Sequence, residues 1–356
     1  MEYLINLLKE KSYSRIRRFP LRKYAFSLKL ILNEIDVIGR FLVNDNNIFS
    51  VSVVPYLYLK ISSDDNLLLR DCFFLNKALP IDLWETSFSK DVVRLWKDKG
   101  FLGEVENRQW RFNYRVVPYD NLLLLTSQFD RNDPNFTFLS YDSLYFASFL
   151  KKRLRELSFQ GGAGLDLCCG VGVQAISISP YCKSVMGVDI NRKALDLAGL
   201  NASFNHIRNC DFIESLLFDK ISGRFDLIVA NPPFIFFSGK EKGPIDSDGG
   251  EPFGLGITLS IIYDLSKYLT ENGKAFIITR SPVVKKQDYL FTSMTGLLPA
   301  GLCCNYHYIS DSINTVTPDE NRFGISGYRQ VILEIYKGTE NKFIRYPFFH
   351  RKTSVF

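Results

Sequence analysis

Apolar positions follow two rhythms along this chain. Between about residues 140 and 336, short continuous apolar runs alternate with stretches whose apolar residues recur every three or four positions. The runs at 164–167, 184–189, 225–230 (FDLIVA) and 274–279 (KAFIIT) predict strands. The intervening stretches at 173–179, 194–204 and 259–269 predict helices. Strands alternating with helices imply right-handed crossovers and a mostly parallel sheet covered on both faces, a Rossmann-like α/β arrangement.

The first 130 residues have a different texture. Helical spacing appears at 24–41 and again at 91–97, where Gly100 stops it. A strand–turn–strand pattern follows, with strands expected at 114–117 and 122–126. Helices followed by a β-ribbon make a small mixed α+β, winged-helix-like unit. Such units bind DNA or dock proteins, and the fold alone does not choose. We therefore expect a substrate-recognition or docking domain over 1–130 and the larger domain over 131–356. Asp130, Asn132, Asp133 and Pro134 mark a linker, and Ser140 or Asp142 can cap the helix after it.

Composition adds bounds. With 356 residues, 46% of them apolar, two well-cored domains are expected. Aromatics at 14% fit either large cores or a platform for flat substrates. Lys and Arg outnumber Asp and Glu by 44 to 38, which permits an anionic partner without demanding one. The seven cysteines form no pair of CxxC knuckles, so neither zinc nor a complete disulfide framework is expected. We expect reduced thiols, a cytoplasmic protein and no metal. No run approaches the roughly 18 apolar residues of a membrane span.

Parallel sheets bind ligands at the carboxyl ends of their strands, so the residues after each strand are the ones to inspect. The first strand runs into Asp166-Leu-Cys168-Cys-Gly170-Val-Gly172. Its glycines allow a ligand close to the backbone, and the helix behind offers free N–H groups. Asp189 follows the second strand about twenty residues beyond Gly170, the spacing at which an acid meets a ribose diol. Together these imply a nucleoside-bearing cofactor. The dinucleotide fingerprint G-x-G-x-x-G is absent, and an acid ahead of the glycines repels a pyrophosphate. The same acid suits the ammonium of S-adenosylmethionine.

The third strand ends in Asn231-Pro232-Pro233-Phe234. Two prolines stiffen the turn. It can aim the Asn231 side-chain oxygen and the Pro232 carbonyl at one point, where they would hold a planar –NH2 by both hydrogens. That grip localises the nitrogen lone pair and stabilises positive charge developing on nitrogen. Phe234 can stack on the flat group. Transfer then needs only in-line placement of the methyl donor, without metal, general base or covalent intermediate.

With these motifs in order, residues from about 140 to 336 resemble a class I S-adenosylmethionine-dependent methyltransferase. LDLCCGVG is similar to its first motif, GVDIN to its second and FDLIVANPPF to its fourth. NPPF resembles the amino-methylating branch, and the run from Asp248 to Leu255 resembles the helix entry of the HemK-like glutamine N5 group. The resemblance implies a seven-stranded domain. It further implies that Asp166, Cys168, Gly170 and Gly172 surround the methionine end of the cofactor, that Asp189 holds the ribose, and that Ile190 packs on adenine. Asp211 would accept from the adenine amino group with Phe212 beside the ring, and Asn231 would bridge cofactor and substrate. Cys168 departs from the family by replacing a glycine, and EPF between Gly250 and Gly254 lengthens the usual spacing.

The expected activity is N-methyl transfer to a protein glutamine or an RNA base; the alternative is a small-molecule biosynthetic methyltransferase. Oligomeric state is not legible. Three further features are weaker. His206 reads as a surface residue, Tyr306 and His307 as packing, and the basic-aromatic tail KFIRYPFFHRK as a segment docked on its own domain or a single-strand nucleic-acid binder.

Overall fold

The computed structural model describes residues 4, 6–8, 67–74, 76–127, 137, 139–237, 243–309, 318–338 and 343–346. It divides into two compact units, one made of 1–130, 138–141 and 354–356, the other of 131–137 and 142–353. The helix expected at 24–41 lies outside the described residues.

In the first unit, β1 (Leu79–Pro80), α1 (Ile81–Phe88) and α2 (Lys90–Asp98) precede β2 (Leu102–Val105) and β3 (Gln109–Phe112). The three strands form an antiparallel sheet in the order β1-β3-β2. This is a winged-helix-like arrangement, but its ribbon is β2–β3. The hairpin expected from the sequence is present as β4 (Tyr114–Tyr119) and β5 (Leu122–Ser127), and it forms a separate two-stranded sheet. Part of the aromatic richness is spent on the core: Phe73 meets Trp84, Phe88, Trp96 and Phe112 at centroid distances of 5.0–6.0 Å. The Trp84 indole N–H donates to the Trp110 carbonyl at 3.0 Å, so its polar atom is satisfied inside.

The second unit is a single twisted sheet. Strands β6 (Gly161–Leu167), β7 (Cys182–Asp189), β8 (Cys210–Glu214), β9 (Phe225–Ala230) and β10 (Leu269–Val284) run parallel. Beyond β10 come β11 (Gln287–Asp288), β12 (Leu302–Tyr308), β13 (Ile325–Lys337) and β14 (Phe343–Tyr346). The spatial order is β14-β12-β13-β10-β9-β6-β7-β8, with β11 paired to β10 and β13 antiparallel to both its neighbours. Seven of these strands form the expected Rossmann-like sheet; β11 and β14 are additions. The addition of β14 places Phe343–Tyr346, the front of the basic-aromatic tail, in parallel pairing with β12.

The helices are α3 (Tyr141–Glu156), α4 (Val173–Ile178), α5 (Arg192–Phe204), α6 (Gly256–Tyr268) and α7 (Tyr289–Leu297). Strand β9 is covered on both faces, with Leu227, Ile228, Val229 and Ala230 all fully buried, as a continuous apolar run in a parallel sheet requires. The sheet fixes α3 through a buried anchor. Arg153 donates to both oxygens of Glu334 (3.1 and 3.2 Å), and His307 Nε2 lies 2.9 Å from Oε2. Burial pushes the Glu334 carboxyl up, but the hydrogen bonds from His307 and Arg153 outweigh it and hold it at about 2. His307 is thus a packing residue. So is Tyr306, whose hydroxyl donates to Asp288 at 2.9 Å.

Candidate active site

The chain winds outward from β6 through β7 to β8, then returns to β9 on the other side of β6 and winds away to β10. The reversal opens a crevice at the carboxyl ends of β6 and β9, where such sheets take ligands.

On one side of it, Asp166 closes β6. Its Oδ2 accepts from the Ala175 N–H at 2.8 Å, while Oδ1 is buried with no partner. Burial pushes this carboxyl well above the usual carboxylate range, and the charge of Asp189 adds to the effect. The following turn carries left-handed backbone at Cys168 (φ +54°), Gly170 (φ +51°) and Gly172 (φ +81°). Two of these positions are glycine; Cys168 carries a Cβ in a conformation that favours glycine.

Asp189 stitches the two strand ends together. Its Oδ2 accepts from Gly170 N–H and its Oδ1 from Asn191 N–H, both at 2.9 Å. Each oxygen keeps a lone pair for a diol. Ile190 is 40% exposed and Leu216 57% exposed. They sit just past the adjoining ends of β7 and β8, which stay paired through Ser215 N–H donating to the Asp189 carbonyl at 3.0 Å. Leu216 is a candidate that the sequence did not single out; its exposed apolar side chain past the end of β8 is what brings it forward.

Asp211 is not brought to this cluster. It is the second residue of β8, opposite Met186 and three residues short of the carboxyl end. Phe212 packs over glycines: its ring atoms lie 2.5–2.7 Å from where a Cβ on Gly187 would stand and 3.1 Å from one on Gly172. His206 is exposed.

Across the crevice, Asn231-Pro232-Pro233-Phe234 follows β9. Asn231 Nδ2 donates one of its two N–H groups to Ser143 Oγ at 2.9 Å, which fixes the orientation of the amide and leaves Oδ1 as the acceptor. Ser143 lies in the first turn of α3, and its carbonyl accepts from Gln174 Nε2 at 3.0 Å. The neighbouring Asp142 pairs with Arg280 of β10 at 3.5 Å, and the Arg280 guanidinium lies 5.0 Å from the Phe234 ring centre. One helical turn therefore reaches both ends of the Asn-Pro-Pro-Phe segment. From below, the Gly-rich loop presses its backbone on the same segment: a Cβ on Gly249 would stand 2.8 Å from Phe234 Cα, and one on Gly254 would stand 2.6 Å from the Phe234 carbonyl oxygen. The longer Gly250–Gly254 spacing is accommodated by a turn in which Gly254 N–H donates to the Gly250 carbonyl at 2.8 Å.

A glycine turn, an acid at the next strand end and an Asn-Pro-Pro-Phe turn at the crevice have a counterpart among known families: residues 140–292 match the model described as "Methyltransferase small domain". That stretch of the chain is similar to a methyltransferase small domain. Over 127 residues the chain is 40% identical to a putative protein N5-glutamine methyltransferase of Methanocaldococcus jannaschii, covering 33% of this chain and 62% of that protein. Over 125 residues it is 37% identical to the release factor glutamine methyltransferase of Lactococcus lactis, covering 32% of this chain and 45% of that one. The matches thus span between roughly half and three-fifths of these relatives' length. Among solved structures, a ribosomal protein L11 methylase from Lactobacillus delbrueckii is similar at 18% identity and a TM-score of 0.36, over 55% of this chain and 79% of that one.

The similarity to a methyltransferase small domain implies S-adenosylmethionine as methyl donor, and the residues present fit it. The orphaned, buried Asp166 Oδ1 is short of a donor, which an ammonium supplies. Asp189 has lone pairs to spare beside a glycine turn, and Ile190 and Leu216 offer apolar surface beside it. Among the described residues no cluster of His, Cys, Asp and Glu has the makings of a metal site, and no helix is long and apolar enough to cross a membrane.

Proposed function

We propose that this chain is an S-adenosylmethionine-dependent N-methyltransferase acting on a planar nitrogen, and that its acceptor is a protein glutamine amide. The observation that carries the reading is Asn231, whose amide is oriented by an N–H donated to Ser143 and whose Oδ1 is left to accept. The names of the relatives support glutamine as the acceptor.

The cofactor, when bound, supplies a methyl group activated by a positively charged sulfur. The rest falls to this chain. Asp166 would hold the amino acid end through its unpartnered Oδ1, and Asp189 the ribose. Asn231 Oδ1 and the Pro232 carbonyl would take the two hydrogens of the acceptor –NH2. An amide nitrogen is a poor nucleophile because its lone pair is delocalised into the carbonyl. Two acceptors on its hydrogens return density to nitrogen and stabilise the charge that grows there during attack; as the nitrogen takes the methyl group, one of those two protons leaves it for water. Phe234, braced on one face by Arg280, fixes the plane of the amide.

The test is comparative mass spectrometry of protein and RNA digests from the host with and without the gene. Loss of a single-methyl mass increment from one glutamine side chain is the expected result. Loss from a nucleoside would replace glutamine with an RNA base, and a small molecule losing the increment would favour a biosynthetic role. Identical digests and identical metabolites would overturn the reading.

A further inference from the structure

Two side chains paired in register near the carboxyl end of β10 each carry a buried donor atom that has no acceptor among the described residues. In the ladder between β10 and β13, Arg280 is directly opposite Gln330, so their side chains leave the same face of the sheet about 5 Å apart at Cβ. Arg280 Nε and Gln330 Nε2 are both buried without a hydrogen-bond partner. Gln330 is 7% exposed. Among the described residues, the Arg280 guanidinium has the Phe234 ring at 5.0 Å and the Asp142 carboxylate at 3.5 Å, and it makes no hydrogen bond. That ion-pair distance is well beyond the roughly 2.7–2.9 Å of a charge-assisted hydrogen bond. Buried polar groups are nearly always paired, so two adjacent orphan donors mark a place where an acceptor belongs. One of the donors is charged, which favours an anionic oxygen.

We propose that Arg280 and Gln330 form an oxyanion subsite that grips a carboxylate or phosphate group of the substrate whose nitrogen lies at Asn231. The proposal rests on the N-methyltransferase reading and names the substrate class it implies. The oxyanion is not the cofactor's own carboxylate, which belongs at the glycine turn after β6, two strands away at about 10 Å. Nor is it the carbonyl of the accepting amide. A cation on that oxygen would pull the nitrogen lone pair into the carbonyl and slow the attack. The group is therefore a separate feature of the substrate, held past Phe234, and it distinguishes an acceptor with an acid or phosphate beside its nitrogen from one without.

The full chain, labelled at arginine Nε, would be titrated with inorganic phosphate and, separately, with acetate. The Nε–H resonance that disappears in Arg280→Lys identifies the reporter. A saturable shift of that resonance is expected, with Gln330→Leu weakening the apparent Kd about tenfold, the loss of one charge-assisted bond. Gln330→Leu should not lower the thermal midpoint, because it removes an unpaired buried donor. A merely structural glutamine would give the reverse pattern, a lower midpoint and an unchanged Kd. Tighter saturation by phosphate assigns a phosphoryl group, and tighter saturation by acetate a carboxylate. A resonance indifferent to both ions, or a Gln330→Leu variant that titrates like the parent, overturns the subsite. Because the readout is binding, its failure leaves methyl transfer standing, and a methyl-transfer failure leaves the subsite standing.

Discussion

The two halves of the ligand edge are opposites in charge and in what they lack. On the β6–β7 side stand carboxylates, Asp166 and Asp189, and the orphan atom there is an acceptor. On the β10–β13 side stand Arg280 and Gln330, and the orphan atoms are donors. Asn231 sits between them at the end of β9. The first half is braced by its own backbone, since both oxygens of Asp189 hold peptide N–H groups. Among the described residues, the guanidinium of the second half makes no hydrogen bond and has only the Asp142 carboxylate at 3.5 Å. The difference fits the proposed function, which asks for a cofactor side of fixed shape and an acceptor side completed by a particular molecule.

The comparison can be broken from either side. The largest effect is expected from Gly249→Ala. Its Cβ would meet the Gly254 carbonyl oxygen at 2.0 Å and Phe234 Cα at 2.8 Å, and both are backbone. A stability loss of about 3 kcal/mol is expected, the upper end for overpacking, along with a displaced Asn-Pro-Pro-Phe segment. A denaturant midpoint equal to the parent's would show that the acceptor half is not rigidly backed.

Asp166→Asn attacks the other half. Removing a hydrogen bond to a charged group should weaken S-adenosylhomocysteine about tenfold to a hundredfold. Because burial raises the Asp166 carboxyl, the parent should bind less tightly as pH falls and the acid protonates, losing its grip on the ammonium. The Asn variant should show a flat profile. Calorimetry across pH checks both, and a parent with no pH dependence would remove Asp166 from the methionine end.

Ser143→Ala tests the join between the halves. It frees the Asn231 amide to turn over, so kcat should drop about tenfold with KM and S-adenosylhomocysteine affinity held; Ser143→Thr should restore it. An equal loss in both variants would mean that Ser143 only packs. The smallest effect is at Cys168. Glycine there relieves a left-handed Cβ that costs about 1–2 kcal/mol, partly offset by the entropy glycine loses on folding. A gain of about 0.5–1 kcal/mol in unfolding free energy is expected.

The parallel half of the sheet was legible because β6, β7, β9 and β10 carry continuous apolar runs that only a doubly covered strand explains. Strands β8, β12 and β13 were not. Exposed Asp211 and Glu214 break the pattern in β8, and buried Asn305, His307, Gln330 and Glu334 break it in the other two. His307 and Glu334 are inside because they pair across strands, which sequence spacing does not reveal. The site divides the same way. Asp166, Asp189 and Asn231 announce themselves by standing at or just past the carboxyl ends of strands. Ser143 reaches Asn231 across 88 residues, and Arg280 meets Gln330 only through sheet register. Asp211 shows the converse, an acid chosen by its motif that the strand's length holds away from the edge.

The central claim is that the Asn231 oxygen, and not merely its bulk, drives methyl transfer. Asn231→Ala should lower single-turnover transfer to a glutamine acceptor about a hundredfold or more, while calorimetry gives an S-adenosylhomocysteine affinity within a few-fold of the parent. Transfer at the parental rate in the alanine variant would contradict the account.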